Sequence, residues 1–202
     1  MKLYFSPGAC SLSPRIVLNE AGIPFTAEQV DVRKKVTASG ADFRTINPKG
    51  YVPALQLDDG KVLTEGAAIV QYIADLAPAS NLAPAAGSFA RYQLMEWLNY
   101  IAAEVHKGFS PLFMPGTSDD AKAAARTAVG NRLNYIEQQM AGHDYLMGSQ
   151  FTVADAYLFT VLGWCGYVGM SLDDWPALKS YMARVGGRPA VQQALRDEGL
   201  VK

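Results

Sequence analysis

The sequence predicts an α/β N-terminal part followed by an all-α C-terminal part. Three observations carry this reading. Strand-like runs with turn signals fill the chain up to Glu65 and then stop. Apolar residues at helical spacing dominate from Ile69 onward. Between the two regimes lies "LAPASNLAPAAGS", a Pro/Ala/Ser-rich stretch with the composition of a connection. The expected division is residues 1–78, a linker over 79–86, and a helical domain over 87–202.

Each element has its own signal. "KLYF" is a short strand, and Pro14 to Ala21 reads as a helix with Ser13 as N-cap, Pro14 at its first position and Gly22 behind it. "FTAEQVDV" is a second strand, and "VPALQLDDGKVLTE" is two strands around the Asp59-Gly60 turn. A strand-helix-strand opening implies a crossover and a parallel pair, to which the hairpin adds antiparallel strands. Ile69, Val70, Tyr72, Ile73 and Leu76 then share one helical face. Beyond the linker, Leu94, Leu98, Ile101 and Val105 recur at helical spacing, as do Val129, Leu133, Ile136 and Met140. "FTVADAYLF" opens with Thr152 and Asp155 at capping-box spacing, Asp standing where Glu is usual. Trp175 to Val185 and Pro189 to Leu195 complete the helical set.

Composition narrows the function. With 202 residues, 50% of them hydrophobic and 18% charged, the chain has enough apolar material for a sizeable core. A net charge of -1 without a basic block argues against a nucleic-acid surface. Ser6-Pro7-Gly8 interrupts the N-terminal apolar run before a signal-peptide core forms. Ala156 to Met170 is shorter than the roughly 20 apolar residues of a membrane span, and glycines break it. Two cysteines, Cys10 and Cys165, make no disulfide framework, and two histidines at no ligand spacing make no metal site. The expectation is a soluble, cytoplasmic protein without metal or membrane association.

Chemistry enters at "SPGACSLSP". Cys10 lies at the entrance of the first helix, where unpaired N–H groups and about half a positive charge favour an anion. The thiolate is the reactive form of cysteine. "CSLS" has the spacing of a redox C-x-x-C pair, with Ser13 in place of a resolving cysteine. Such a site attacks a disulfide but cannot close one within itself. Spacing alone also fits a small buried hydrophobe, the reading given to Cys165 between Trp164 and Gly166.

Two further stretches bear on that choice. "GYVPALQLDDG" places Val52-Pro53 where a loop enters a strand, and a cis bond there presents the Val52 backbone to an extended ligand. "TEGAAIV" places Glu65 and Gly66 at another helix entrance, where N–H groups suit a carboxylate and the Glu65 side chain suits an ammonium. A ligand with a thiol, a peptide backbone, a free amine and a carboxylate answers all three places. Glutathione has that set of groups.

Over nearly its whole length the sequence resembles the bacterial glutathione transferases of the beta class. The resemblance rests on "MKLYFSPGACSLSPRIVL", "NPKGYVPALQLDDG", "LTEGAAIVQYIADL", "EWLNYIAAEVHKGFSPLF" and "FTVADAYLF", which are specific together and weak singly. It implies a thioredoxin-like N-terminal domain, a helical C-terminal domain, a homodimer and glutathione as cosubstrate. It also implies roles. Cys10 contacts the glutathione sulfur or forms a mixed disulfide with it, and Val52 pairs with the cysteinyl backbone beside cis-Pro53. Glu65 and Gly66 hold the γ-glutamyl end, and Lys35 reaches the glycine carboxylate. Asn99, Glu104 and His106 line the same cleft from the helical domain, either of the same subunit or, for some of them, of the second subunit of the dimer, with His106 serving as donor or proton acceptor near the sulfur. The family usually has serine or another small residue where this chain has Gly66, so a side-chain hydroxyl is absent here.

The resemblance implies conjugation of glutathione to small hydrophobic electrophiles. Glutathione-dependent disulfide exchange or peroxide reduction, and non-enzymatic binding of hydrophobic ligands on the same fold, are the competing functions. Asp155 reads as a helix cap and His143 as a turn residue, while Tyr51, Phe109, Phe113, Met114 and Trp164 are candidates for either a substrate pocket or the core.

Overall fold

The computed structural model describes residues 1–201. At the centre of its sheet runs β1 (Lys2–Phe5), whose Leu3, Tyr4 and Phe5 are all buried. It pairs parallel with β2 (Thr26–Asp31), Lys2 opposite Thr26, across the crossover helix α1 (Leu12–Glu20). On its other side β4 (Ala54–Gln56) and β5 (Val62–Thr64) form the expected antiparallel hairpin. A two-residue edge strand, β3 (Val36–Thr37), completes the order β3-β2-β1-β4-β5. The charged run Arg33-Lys34-Lys35 masks β3 in the sequence, because so short a strand leaves no alternation to detect.

Two local expectations need correction. Helix α1 begins before Pro14, with Ser11 at its N-cap, and the Ser13 hydroxyl donates to the Cys10 carbonyl (2.8 Å) instead of capping the helix. Proline is tolerated there because first-turn N–H groups have no partner inside the helix. In α2 (Gly66–Leu76) the buried face is Ile69, Val70, Ile73 and Ala74; Tyr72 is half-buried and Leu76 is exposed at the last turn. Contacts divide the molecule into two compact units, Met1–Ala83 together with the chain from Gly187 onward, and Pro84–Gly186.

Helix α9 (Pro189–Asp197), expected in the helical domain, thus packs with the sheet unit. Its buried Val191 and Ala194 lie against α1, and beyond it Glu198 accepts from Arg15 Nε at 2.9 Å. Both side chains of that ion pair are buried, and the Arg15 guanidinium lies 4.2 Å from the centre of the Phe5 ring. The second Glu198 oxygen accepts from the Gly8 N–H (2.9 Å), two residues before Cys10. Burial pushes the Glu198 carboxyl above its ordinary range despite these partners.

The other unit is helical. It comprises α3 (Phe89–Tyr100), a π-helical segment over Ile101–His106, α4 (Ser110–Phe113), α5 (Asp119–Met140), α6 (Val153–Leu162), α7 (Trp164–Tyr167) and α8 (Pro176–Gly186). Ser88 and Ser118 cap α3 and α5 by accepting from Arg91 and Ala121 N–H groups. Every residue of α6 is buried. At its start the expected capping box is present: the Thr152 N–H and hydroxyl both donate to Asp155 Oδ2, at 2.8 and 2.9 Å. Leu146 N–H and the Tyr181 hydroxyl reach Asp155 Oδ1, tying three segments to one carboxyl. No described helix is long and apolar enough to cross a membrane.

Candidate functional site

In the sheet unit the candidate residues gather around the loop between Asn47 and Pro53. The Cys10 thiol, half-buried ahead of α1, donates to the Val52 carbonyl at 3.3 Å, joining residues 42 apart in sequence. The Val52-Pro53 bond is cis. Gly66, first residue of α2, lies beside Pro53: a Cβ placed on it would stand 3.8 Å from the proline ring. Glu65 precedes it with an exposed carboxylate that pairs with Lys49. Lys35 donates from Nζ to the Gly50 carbonyl (2.8 Å) and lies 5.2 Å from the centre of the Tyr51 ring. Cys10, Val52, Pro53 and Gly66 are thereby neighbours, with Glu65 and Lys35 attached through Lys49 and Gly50.

Backbone strain marks the same place. Among the described residues, three non-glycines have positive φ: Lys35 (61°), Glu65 (71°) and Asn81 (54°). Such conformations cost an L-residue on the order of 1–3 kcal/mol and persist where the surroundings enforce them. Two of the three are residues singled out above as ligand-binding candidates. Glu65 combines its positive φ with a ψ of 114°, and its carbonyl still accepts from Ala68 and Ile69 to open α2.

The helical unit holds the other three candidates. Asn99 is exposed near the end of α3, and Glu104 receives two donors from Arg132, at 2.8 and 3.1 Å. Half-buried His106 ends the π-helical segment, its Nδ1 2.7 Å from the Tyr157 hydroxyl on α6. Heptad spacing from Asn99 predicts nearly the same helix face for His106 on a regular α-helix. Between them runs the π-helical segment, whose i→i+5 repeat is wider than that of an α-helix. The Trp164 ring stands 4.7 Å from the His106 ring, edge to face, and is itself flanked by Phe109 and Phe113. Phe109 and Trp164 are therefore core, whereas Tyr51, Phe113 and Met114 are exposed.

The second thiol contrasts with the first. Cys165 is 2% exposed, and burial pushes its thiol up to about 11, which leaves it an apolar side chain at neutral pH. Three residues of these clusters escape sequence reasoning. Lys49 and Gly50 sit inside the quoted "NPKGYVP", and Tyr157 inside "FTVADAYLF". Nothing in local spacing announces their contacts with Glu65, Lys35 and His106, which lie 15 to 51 positions away.

Comparison with known proteins decides the family. Residues 8–76 match the glutathione S-transferase N-terminal domain, and residues 100–189 match the C-terminal domain. The chain belongs to the glutathione S-transferase family. It is 48% identical over 200 residues to the glutathione S-transferase GstA of Escherichia coli O157:H7, covering 99% of this chain and 100% of that one. A sphingomonad glutathione S-transferase solved in complex with glutathione is 52% identical, with a TM-score of 0.96 and full coverage of both chains. A beta-class glutathione S-transferase of Sphingomonas chungbukensis is 49% identical, with a TM-score of 0.97 and full coverage of both. The expected beta-class transferase, with a thioredoxin-like domain followed by a helical one, is borne out.

Proposed function

We propose that this transferase conjugates glutathione to small hydrophobic electrophiles, with Cys10 able to exchange with the glutathione sulfur. The observation that carries the reading is the Cys10 thiol 3.3 Å from the Val52 carbonyl beside cis-Pro53. It puts a sulfur next to the backbone stretch where an extended thiol peptide would pair. In this reading Val52 holds the cysteinyl backbone. Glu65 takes the ligand's ammonium, Gly66 offers a backbone N–H to its carboxylate, and Lys35 takes the glycine carboxylate. In the helical unit the residues assigned to glutathione in this reading are Asn99, Glu104 and His106. Glutathione bound in the sphingomonad relative supports the choice of cosubstrate.

Conjugation needs the glutathione thiolate. A thiol of pKa about 8.5 is only a few per cent ionised at neutral pH, so stabilising the anion gains at most one to two orders of magnitude. Holding the electrophile close supplies the rest. The thiol proton leaves to a base or to solvent. Sulfur then bonds to the electrophilic carbon, and the leaving group departs with its electron pair. Exchange at Cys10 runs separately: its thiolate attacks glutathione disulfide and expels one glutathione thiolate, and a second glutathione resolves the mixed disulfide. Resolution by an external thiol follows from Ser13, which stands where a resolving cysteine would be and whose hydroxyl donates to the Cys10 carbonyl.

Intact-mass spectrometry tests the assignment. After incubation with glutathione disulfide, the protein carries one glutathione adduct that dithiothreitol removes. Cys10→Ala carries none and loses disulfide exchange, while keeping part of its turnover of an activated haloarene. An adduct that maps to Cys165 defeats the role given to Cys10, and absence of any glutathione binding defeats the function.

A further inference from the structure

We propose that Tyr157 is the positioning residue that fixes His106 as a single tautomer, its ring hydrogen on Nε2, so that the ring is an uncharged N–H donor. The bearing on conjugation rests on the function proposed above; the tautomer itself does not.

The geometry is specific. Neutral imidazole has one donor nitrogen and one acceptor nitrogen, and the bond made at one of them decides what the other offers. Here Nδ1 is 2.7 Å from the Tyr157 hydroxyl, a short contact for an oxygen–nitrogen pair. Tyr157 is 4% exposed and belongs to α6, the helix buried at every position, so its hydroxyl is held by the core. A phenol is the better hydrogen donor of the two, and an imidazole nitrogen is a better acceptor than a phenolic oxygen. Tyr157 therefore donates to Nδ1, and the hydrogen of the ring resides on Nε2.

Ring packing fixes the direction in which Nε2 points. The Tyr157 ring meets the His106 ring at 87° with centroids 6.0 Å apart, and the Trp164 ring meets it at 77° and 4.7 Å. Rotation of the imidazole would break both edge contacts and the hydrogen bond together. The π-helical segment ending at His106 sets the backbone from which the ring reaches α6. A positive charge on the ring is not needed: a neutral N–H stabilises an anion it meets without first capturing a proton.

Histidine NMR tests this directly, since the chain has two histidines and His143→Gln assigns the signals. At a pH where both rings are neutral, long-range ¹H–¹⁵N spectra of the wild type should show His106 as one tautomer with hydrogen on Nε2. In Tyr157→Phe, which keeps the ring and removes the hydroxyl, His106 should become an exchanging mixture while His143 stays unchanged. The same variant should lower kcat for haloarene conjugation by about three- to thirtyfold, with KM for glutathione within about twofold. Hydrogen on Nδ1 in the wild type, a mixture there, or an unaltered spectrum in Tyr157→Phe overturns the proposal. The wild-type spectrum alone decides the tautomer if the variant fails to fold. Failure of the wild type to turn over any electrophile counts against the conjugation function and leaves the NMR result standing.

Discussion

Gly66 shows how much one missing side chain can matter at the first turn of a helix. Its backbone lies in the ordinary helical region, and a Cβ there would meet only the Pro53 ring at 3.8 Å, an ordinary van der Waals separation. Serine therefore fits without displacing anything. A hydroxyl at this position adds a donor for the ligand's carboxylate, and hydrogen bonds to charged groups contribute about 1.5–3 kcal/mol. Isothermal titration should find that Gly66→Ser tightens glutathione binding by about three- to tenfold, less than that range alone would give because the side chain must be ordered. A Kd that is unchanged or weaker removes residue 66 from the γ-glutamyl pocket. The same scale explains why the two cysteines differ. Cys10 stands half-buried before a helix with a carbonyl in reach, and Cys165 is sealed in the core.

At the scale of elements, the start of α6 is held by a single carboxyl with donors from three segments. Burial dominates that group: it pushes Asp155 from an ordinary 3.8 up to about 6, against hydrogen bonds from Leu146, Thr152 and Tyr181 that favour the ionised form. The folded chain thus binds this proton more tightly than the unfolded chain does. The resulting stability is complete below pH about 4 and lost as pH rises through about 6, by on the order of 3 kcal/mol in all. Asp155→Asn cannot titrate, and its one acceptor oxygen cannot serve every donor. At pH 7 it should cost about 0.5–2 kcal/mol, the range for losing a cap. The advantage of the wild type over the variant should be larger at pH 4 than at pH 7 in urea denaturation. An advantage that grows with pH would mean the carboxyl is ionised throughout and burial is the smaller effect.

At the scale of the whole molecule, the exposed apolar side chains of α3 bear on assembly. Phe89, Tyr92 and Met95 are 78%, 59% and 43% exposed at three-residue intervals along the helix. Side chains of this size, repeated on one side of a surface helix, gain by being covered. The homodimer expected of the chain would cover them with a second copy. Light scattering at micromolar concentration should return about twice 21.8 kDa, and Phe89→Glu with Met95→Glu should return the single-chain mass. A wild-type mass near 21.8 kDa excludes the dimer, and a double variant that stays dimeric moves the interface off this face.

The sequence by itself determined what depends on neighbours along the chain. Gly22 follows the end of α1, Asp59-Gly60 turns the hairpin, and Thr152 with Asp155 opens α6, each through hydrogen bonds or φ preferences local to a few residues. The place of Cys10 ahead of a helix and of Val52-Pro53 ahead of a strand was legible for the same reason, and the shared family pattern linked them. Tertiary structure alone decided where long-range partners meet. It joined α9 to α1 through the buried Arg15–Glu198 pair, set Lys49 against Glu65, and brought Tyr157 to His106 across 51 positions. It also widened the helix over Ile101–His106 into a π turn, which heptad spacing does not anticipate. Local preference acts over one or two turns of chain, whereas these contacts arise from the packing of whole elements, and periodicity carries no record of which buried side chain will stand opposite which.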